Sequence, residues 1–209
     1  QRGALFRPLR DCPNPAFYRR ICNLPSSQRV LIAPSARLGC VQIQMLPGFF
    51  DTPPSFINGL RSAWAARWRF AFEQLQKNLA GYRDIDLRQK GISDVEGFMS
   101  LAVNAASTSA NTLSDETGGE IPVTTLDADI QEPVTLIKAD IEGHEQRALL
   151  GAKGHILKDH PKLLISVYHN NEDLWKIPRM IHDWCSDYRF YLRFQSSVLY
   201  PTEITLFAL

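Results

Sequence analysis

From residue 134 to the C-terminus, short apolar runs alternate with stretches of helical periodicity. This alternation constrains the fold more than any other feature of the chain. VTLIKAD (134–140) is the kind of run a central parallel strand needs. GHEQRALLGAKGHILKDH reads as one helix, with Ala148, Leu149, Ala152, Ile156 and Leu157 on one face at helical spacing. PKLLISVYHNN, opened by Pro161, is a second buried strand. EDLWKIPRMIHDWCSD is expected to be helical and to be kinked or divided by Pro178. YRFYLRF and EITLFAL follow as two strands joined by a short loop containing Pro201. The pattern predicts an α/β protein with a parallel sheet covered by helices on both faces. The last strand pair, with no helix between its members, adds an antiparallel edge.

The earlier half repeats the alternation less cleanly. RVLIA (29–33), VQIQM (41–45), WRFAF (68–72) and DIDLRQ (84–89) are strand candidates, and PPSFINGLRSAWAA and EQLQKNLAG are helix candidates. NAASTSANTLSDETGGE (104–120) is rich in Ser, Thr, Asn and Gly and reads as a long polar loop. A length of 209 residues suits a domain with a substantial core. Apolar runs fall far short of the roughly 20 residues needed to span a bilayer, and no basic-then-apolar leader is visible. A cytoplasmic protein without a membrane span is therefore expected. The four cysteines form no C-x-x-C pair or zinc spacing, which favours free thiols, with a Cys12–Cys22 disulfide left open. The net charge of +1 conceals 14 Lys/Arg against 5 Asp/Glu in residues 1–90 and 9 against 17 thereafter. The arginines are scattered, so mutual neutralisation of the two halves is preferred to a nucleic-acid or membrane surface, and no nucleic-acid partner is expected.

The chemistry points to the end of the first C-terminal strand. Ligands of open parallel sheets bind outside the carboxyl ends of the strands. Asp140 stands at one such end and His169 at the next. One helix separates these strands, which makes them neighbours through a right-handed crossover, about 5 Å apart. Asp140, Glu142 and His169 should then converge on one crevice, where a carboxylate beside an imidazole can take a proton from a hydroxyl. The same acids could hold a divalent cation. More ordinary readings stand beside these. Glu142 and Glu145 also suit the dipole of a helix first turn, and Asp140 suits an N-cap. His144 is expected to be solvated, His155, His160 and His182 to be structural surface residues, and Trp175 and Trp184 to lie in the core.

At these residues the sequence resembles the FkbM-type S-adenosylmethionine-dependent methyltransferases. IPVTTLD precedes LIKADIEGHEQRALLGAKGHIL, which carries K-x-D-x-E-G-x-E as Lys138, Asp140, Glu142, Gly143 and Glu145. Leu149 or Leu150, Gly151 and Ala152 then supply the helix motif. The likeness runs through PKLLISVYHNNEDLWKIP and YRFYLRF to TEITLFAL, roughly residues 68–209. It implies a Rossmann-like, seven-stranded methyltransferase sheet, mostly parallel with an antiparallel last strand. Residues 1–40 would be an N-terminal extension or divergent first segment, and residues 41–209 the methyltransferase-like domain.

The resemblance also implies S-adenosylmethionine as cofactor and O-methylation of a sugar or other small hydroxylated metabolite. Asp140, Glu142 and His169 would face the acceptor. Glu73, at the end of WRFAFE, would hold the cofactor ribose, and Ser93 and Asp94 in KGISDVEGF would pack near adenine. MLPGFFDTPPSF keeps Gly48 and Asp51 in the order of the first cofactor loop. Leu46 stands where the family places an acid, and Pro53 and Pro54 replace glycine-rich backbone. That departure motivates an alternative: a methyltransferase fold that has lost cofactor binding and serves as a binding or scaffold module. A divalent metal on Asp140, Glu142 and His169 is compatible with the residues but not required, and a homodimer is left open.

Overall fold

The computed structural model describes residues 40–44, 72–73, 76–77, 86–102, 112–115, 119–194 and 204–209. Nine strands are assigned among them: β1 Cys40–Gln44, β2 Gly91–Ile92, β3 Gly97–Ala102, β4 Thr112–Ser114, β5 Ile121–Thr124, β6 Leu136–Asp140, β7 Lys162–Ser166, β8 Phe190–Phe194 and β9 Ile204–Ala208. Four helices are labelled: α1 Leu126–Asp129, α2 Glu145–Leu150, α3 Lys153–Asp159 and α4 Asp173–Trp184.

The strands form two sheets and not one seven-stranded, mostly parallel sheet. The larger has the order β1-β6-β7-β9-β8, and the smaller β2-β5-β3-β4. In the larger, β1, β6 and β7 are parallel, and β9 runs antiparallel to both β7 and β8. In the smaller, β2 and β5 are parallel while β3 is antiparallel to β5 and β4. The link from β2 to β3 explains the mixed sheet. A parallel crossover needs a dozen or more residues, and residues 93–96 are too few, so β3 returns antiparallel. Its partner β4 lies inside the stretch expected to be a polar loop. Composition there favours turns, but Leu113 packs on a small second core of Met99, Ile121 and Val123. Residues 86–89, the described part of the strand expected over 84–89, are irregular. Arg88 and Lys90 instead pair with Asp129 at 3.2 and 2.9 Å, joining the basic early half to the acidic later half.

The main core is aliphatic. Ile137, Ala139, Leu163 and Ile165 from the central strands meet Leu126, Ala148, Leu149, Ile156, Ile177 and Ile181 from the helices. Leu157, expected on the buried face, is 47% exposed. Trp175, expected in the core, is 58% exposed, while Trp184 is partly buried against the core with Lys153 Nζ 5.2 Å from its ring centre. Of the expected kink or division at Pro178, division does not occur: α4 runs across it as one helix, with Ile177, Pro178 and Ile181 buried together. That burial outweighs one missing backbone hydrogen bond. No helix among the described residues is long and apolar enough to cross a membrane.

The single helix expected after β6 is two helices, and Asp127 explains the break. Its N–H donates to Gly151 O at 2.9 Å, diverting the carbonyl that His155 would have used. Its carboxylate accepts the N–H groups of Gly154 and His155 at 2.7 and 3.0 Å. Thr125 caps α1 by accepting from Ala128 N–H, and Leu126 between them is fully buried. Each residue of Thr-Leu-Asp thus has a separate mechanical task. Asp127→Ala removes an N-terminal cap from α3, and is expected to lower stability by about 1–2 kcal/mol. A urea midpoint unchanged from the parent chain would contradict this.

Candidate active site

β6 and β7 are hydrogen-bonded parallel neighbours, with Ala139 paired to Ile165. Both deliver polar residues at their carboxyl ends. After Asp140 the backbone turns through Glu142 and Gly143, with φ of 57° and 93°, before α2 begins. Gly143 suits such a conformation, whereas Glu142 holds it at a cost of about 1 kcal/mol. After β7, Val167 and Tyr168 lead to His169.

The expected convergence is present. His169 Nε2 lies 3.7 Å from Asp140 Oδ1 and 3.5 Å from Glu142 Oε2. Tyr168 packs on the imidazole at 4.1 Å between ring centres and donates to Asp140 Oδ1 at 3.4 Å. Glu145, read as a helix-dipole partner, has a different task. It is fully buried, and its Oε1 accepts both Ile141 N–H and His169 Nδ1–H at 2.8 Å. A buried carboxylate must be paired, and this one fixes the imidazole while closing the turn that carries Glu142. Burial opposes charge on His169, but the hydrogen bond to Glu145 and the charges of Glu145, Glu142 and Asp140 outweigh it. The imidazole is therefore held above its ordinary pKa.

Asn170 and Asp173 brace this turn from the other side. Asn170 Nδ2 donates to Gly143 O and to Asp173 Oδ2, both at 3.1 Å. Asp173, fully buried at the start of α4, also accepts from Gln146 Nε2 at 2.6 Å.

A second network gathers at the end of β2. Ser93 Oγ lies 3.0 Å from both Asp94 Oδ1 and His144 Nε2. Arg147 Nε donates to Asp94 at 2.6 Å, and its Nη1 reaches both oxygens of Asp115 at 2.8 Å. His144, expected to be solvated, is 5% exposed. Burial, reinforced by the charge of Arg147, holds it below its ordinary pKa. Burial would raise the pKa of Asp94, but hydrogen bonds from Arg147 and Ser93 prevail and lower it.

The remaining cofactor candidates fare differently. Ser93 is completely buried, so its hydroxyl serves the protein interior. Asp94 keeps a side chain 30% exposed at the carboxyl end of β2. Glu73 is exposed on helical backbone, not at a strand end. Phe72 before it is helical too, and the rest of the strand expected over 68–72 lies outside the described residues. Gly48 and Asp51 lie outside the described residues. His155, expected on the surface, is buried between Asp159 Oδ2 at 2.7 Å and Ile130 O at 2.9 Å.

The Methyltransferase FkbM domain model matches residues 13–194. The crystal structure of methyltransferase FkbM from Methylobacillus flagellatus KT is similar, with 25% identity and a TM-score of 0.53. The match covers 68% of this chain and 33% of that one, so the chain spans about a third of that relative's length. No curated protein matches.

Proposed function

We infer, from the premise that this chain belongs to the Methyltransferase FkbM domain family, that it methylates an oxygen of a sugar or another small hydroxylated metabolite. The observation that carries this reading is the meeting of Asp140, Glu142 and His169 at the carboxyl ends of adjacent parallel strands. S-adenosylmethionine would supply an electrophilic methyl group on a sulfonium. Transfer of that methyl group to the acceptor oxygen would leave the electron pair of the broken carbon–sulfur bond on sulfur, and the chain's own part would be to orient the acceptor and take its hydroxyl proton on a carboxylate. Asp140 and Glu142, with side chains 18% and 27% exposed, are reachable for that proton. His169 and Glu145, more deeply buried, hold the cluster's geometry. Positioning of this kind supplies much of the rate when two molecules must meet in line. Asp94 fits a cofactor role chemically, because a partly exposed carboxylate accepts from ribose hydroxyls or an adenine amine.

The test is calorimetry of the full chain with S-adenosylmethionine and with its demethylated product. Both are expected to bind more tightly than about 1 mM, a free energy of about 4 kcal/mol. Asp140→Asn should leave that affinity within a few fold while abolishing methyl transfer. Absence of binding to either compound would remove the methyltransferase reading and leave the scaffold alternative.

A further inference from the structure

The two nitrogens of His169 are treated differently. Nδ1 is held at 2.8 Å by Glu145 Oε1, which also accepts Ile141 N–H, so that oxygen acts as an acceptor and the hydrogen between them is placed on Nδ1. Nε2 has no hydrogen-bond partner among the described residues, although the side chain is only 8% exposed. It faces Glu142 Oε2 at 3.5 Å and Asp140 Oδ1 at 3.7 Å. Those separations exceed the 2.7–3.2 Å of a hydrogen bond. They approach the spacing of ligands around one ion: atoms about 2.0–2.1 Å from a tetrahedral centre stand roughly 3.3–3.4 Å apart. Ligand atoms of Asp140, Glu145 and His169 lie within 4.8 Å of one another, whereas Glu142 joins them through its 3.5 Å approach to Nε2.

We propose that Asp140, Glu142 and His169 Nε2 form a divalent-cation site, with Glu145 holding the imidazole from behind. Glu145 is assigned the supporting place because its Oε1 already accepts two hydrogen bonds, while its buried Oε2, without a hydrogen-bond partner among the described residues, stays available to the same ion. A metal-ligating histidine usually donates its second N–H to a carboxylate, which fixes the ring and raises its basicity. One imidazole and two carboxylates suit Mn²⁺ or Zn²⁺ better than Ca²⁺, which prefers all-oxygen sites. Three protein ligands leave at least one position open.

In a part of the proposal that rests on the methyltransferase reading, the open position seats the acceptor's hydroxyl oxygen. A carboxylate is a weak base for an alcohol. A cation lowers the alcohol's pKa, so that the proton can pass to a carboxylate oxygen not used in ligation.

The experiment titrates Mn²⁺ alone into the full chain, without cofactor or acceptor, and follows free Mn²⁺ by electron paramagnetic resonance. One ion per chain is expected. Asp140→Asn and Glu142→Gln should each weaken binding at least about tenfold, and Glu145→Gln about 10–100-fold, as loss of a supporting partner does. Asp115→Asn, in the separate Arg147 cluster, should leave it unchanged. If Glu145→Gln does not fold, the two partly exposed ligands carry the test. No ion bound at about 1 mM Mn²⁺, or equal affinity in the parent chain and Asp140→Asn, overturns the site. Calorimetry with the demethylated cofactor in a chelator separates the two claims. Cofactor binding without Mn²⁺ binding removes the cation site alone. Mn²⁺ binding without cofactor binding upholds the site and removes the methyltransferase reading.

Discussion

Gly151→Ala is expected to destabilise the protein by at least about 3 kcal/mol, at the upper end of overpacking costs. That corresponds to a melting temperature lowered by roughly 6–12 °C for a chain of this size. A Cβ at position 151 would stand 1.9 Å from Ser93 O, 3.0 Å from Ser93 C and 3.3 Å from Thr125 Cα. All three are backbone atoms, so no side chain can rotate away. The backbone of Gly151 is itself ordinary, with φ of −72°. Local propensity therefore predicts the opposite sign, since alanine in helical backbone gains about 1 kcal/mol over glycine. Gly154→Ala is the milder comparison: the three atoms nearest its Cβ all belong to the Asp127 side chain, from 2.8 Å, so its loss should not exceed that of the Asp127 cap itself. A Gly151→Ala melting temperature within about 2 °C of the parent would show that the contact between the β2 end and the α2–α3 turn is not as tight as described.

Glu145→Ala should cost about 3–5 kcal/mol, the range for breaking a buried ionic pair by removing one partner. It strands two donors, Ile141 N–H and His169 Nδ1–H, at a fully buried position. Glu145→Gln keeps an acceptor and should lose less. The pH dependence gives a second readout. Because His169 is held above its ordinary pKa in the folded state, its contribution to stability is complete below the unfolded value of about 6.5. That contribution is lost as pH rises through the raised folded value. The parent chain should therefore lose stability across that window, and Glu145→Ala should lose less there. The gap between them is widest at mildly acidic pH. Denaturant midpoints from pH 5.5 to 9 would check this. Parallel pH profiles, with a loss under about 1 kcal/mol, would contradict the assigned pairing.

Much of the site was legible in the chain. Two apolar runs separated by one helical stretch make neighbouring parallel strands, and that places Asp140, Glu142 and His169 together. Glu145 was misread because an acid in a helix first turn suits the dipole whether it points to water or to the core. Only packing distinguishes the two. His144 was misread for a related reason, since its burial depends on Ser93, 51 positions away. The break at Gly151 could not be read from helical periodicity, because it is made by Asp127 from another helix.

The sequence by itself determined the central strands, the helices that cover them and the chemical types gathered at their ends. These follow from local periodicity, and burying apolar area is non-directional enough to tolerate many detailed arrangements. Tertiary structure alone decided that the strands divide into two sheets, that one helix becomes two, and that Glu145 serves the imidazole. Those outcomes depend on hydrogen bonds, which are directional and short-ranged, between groups distant along the chain.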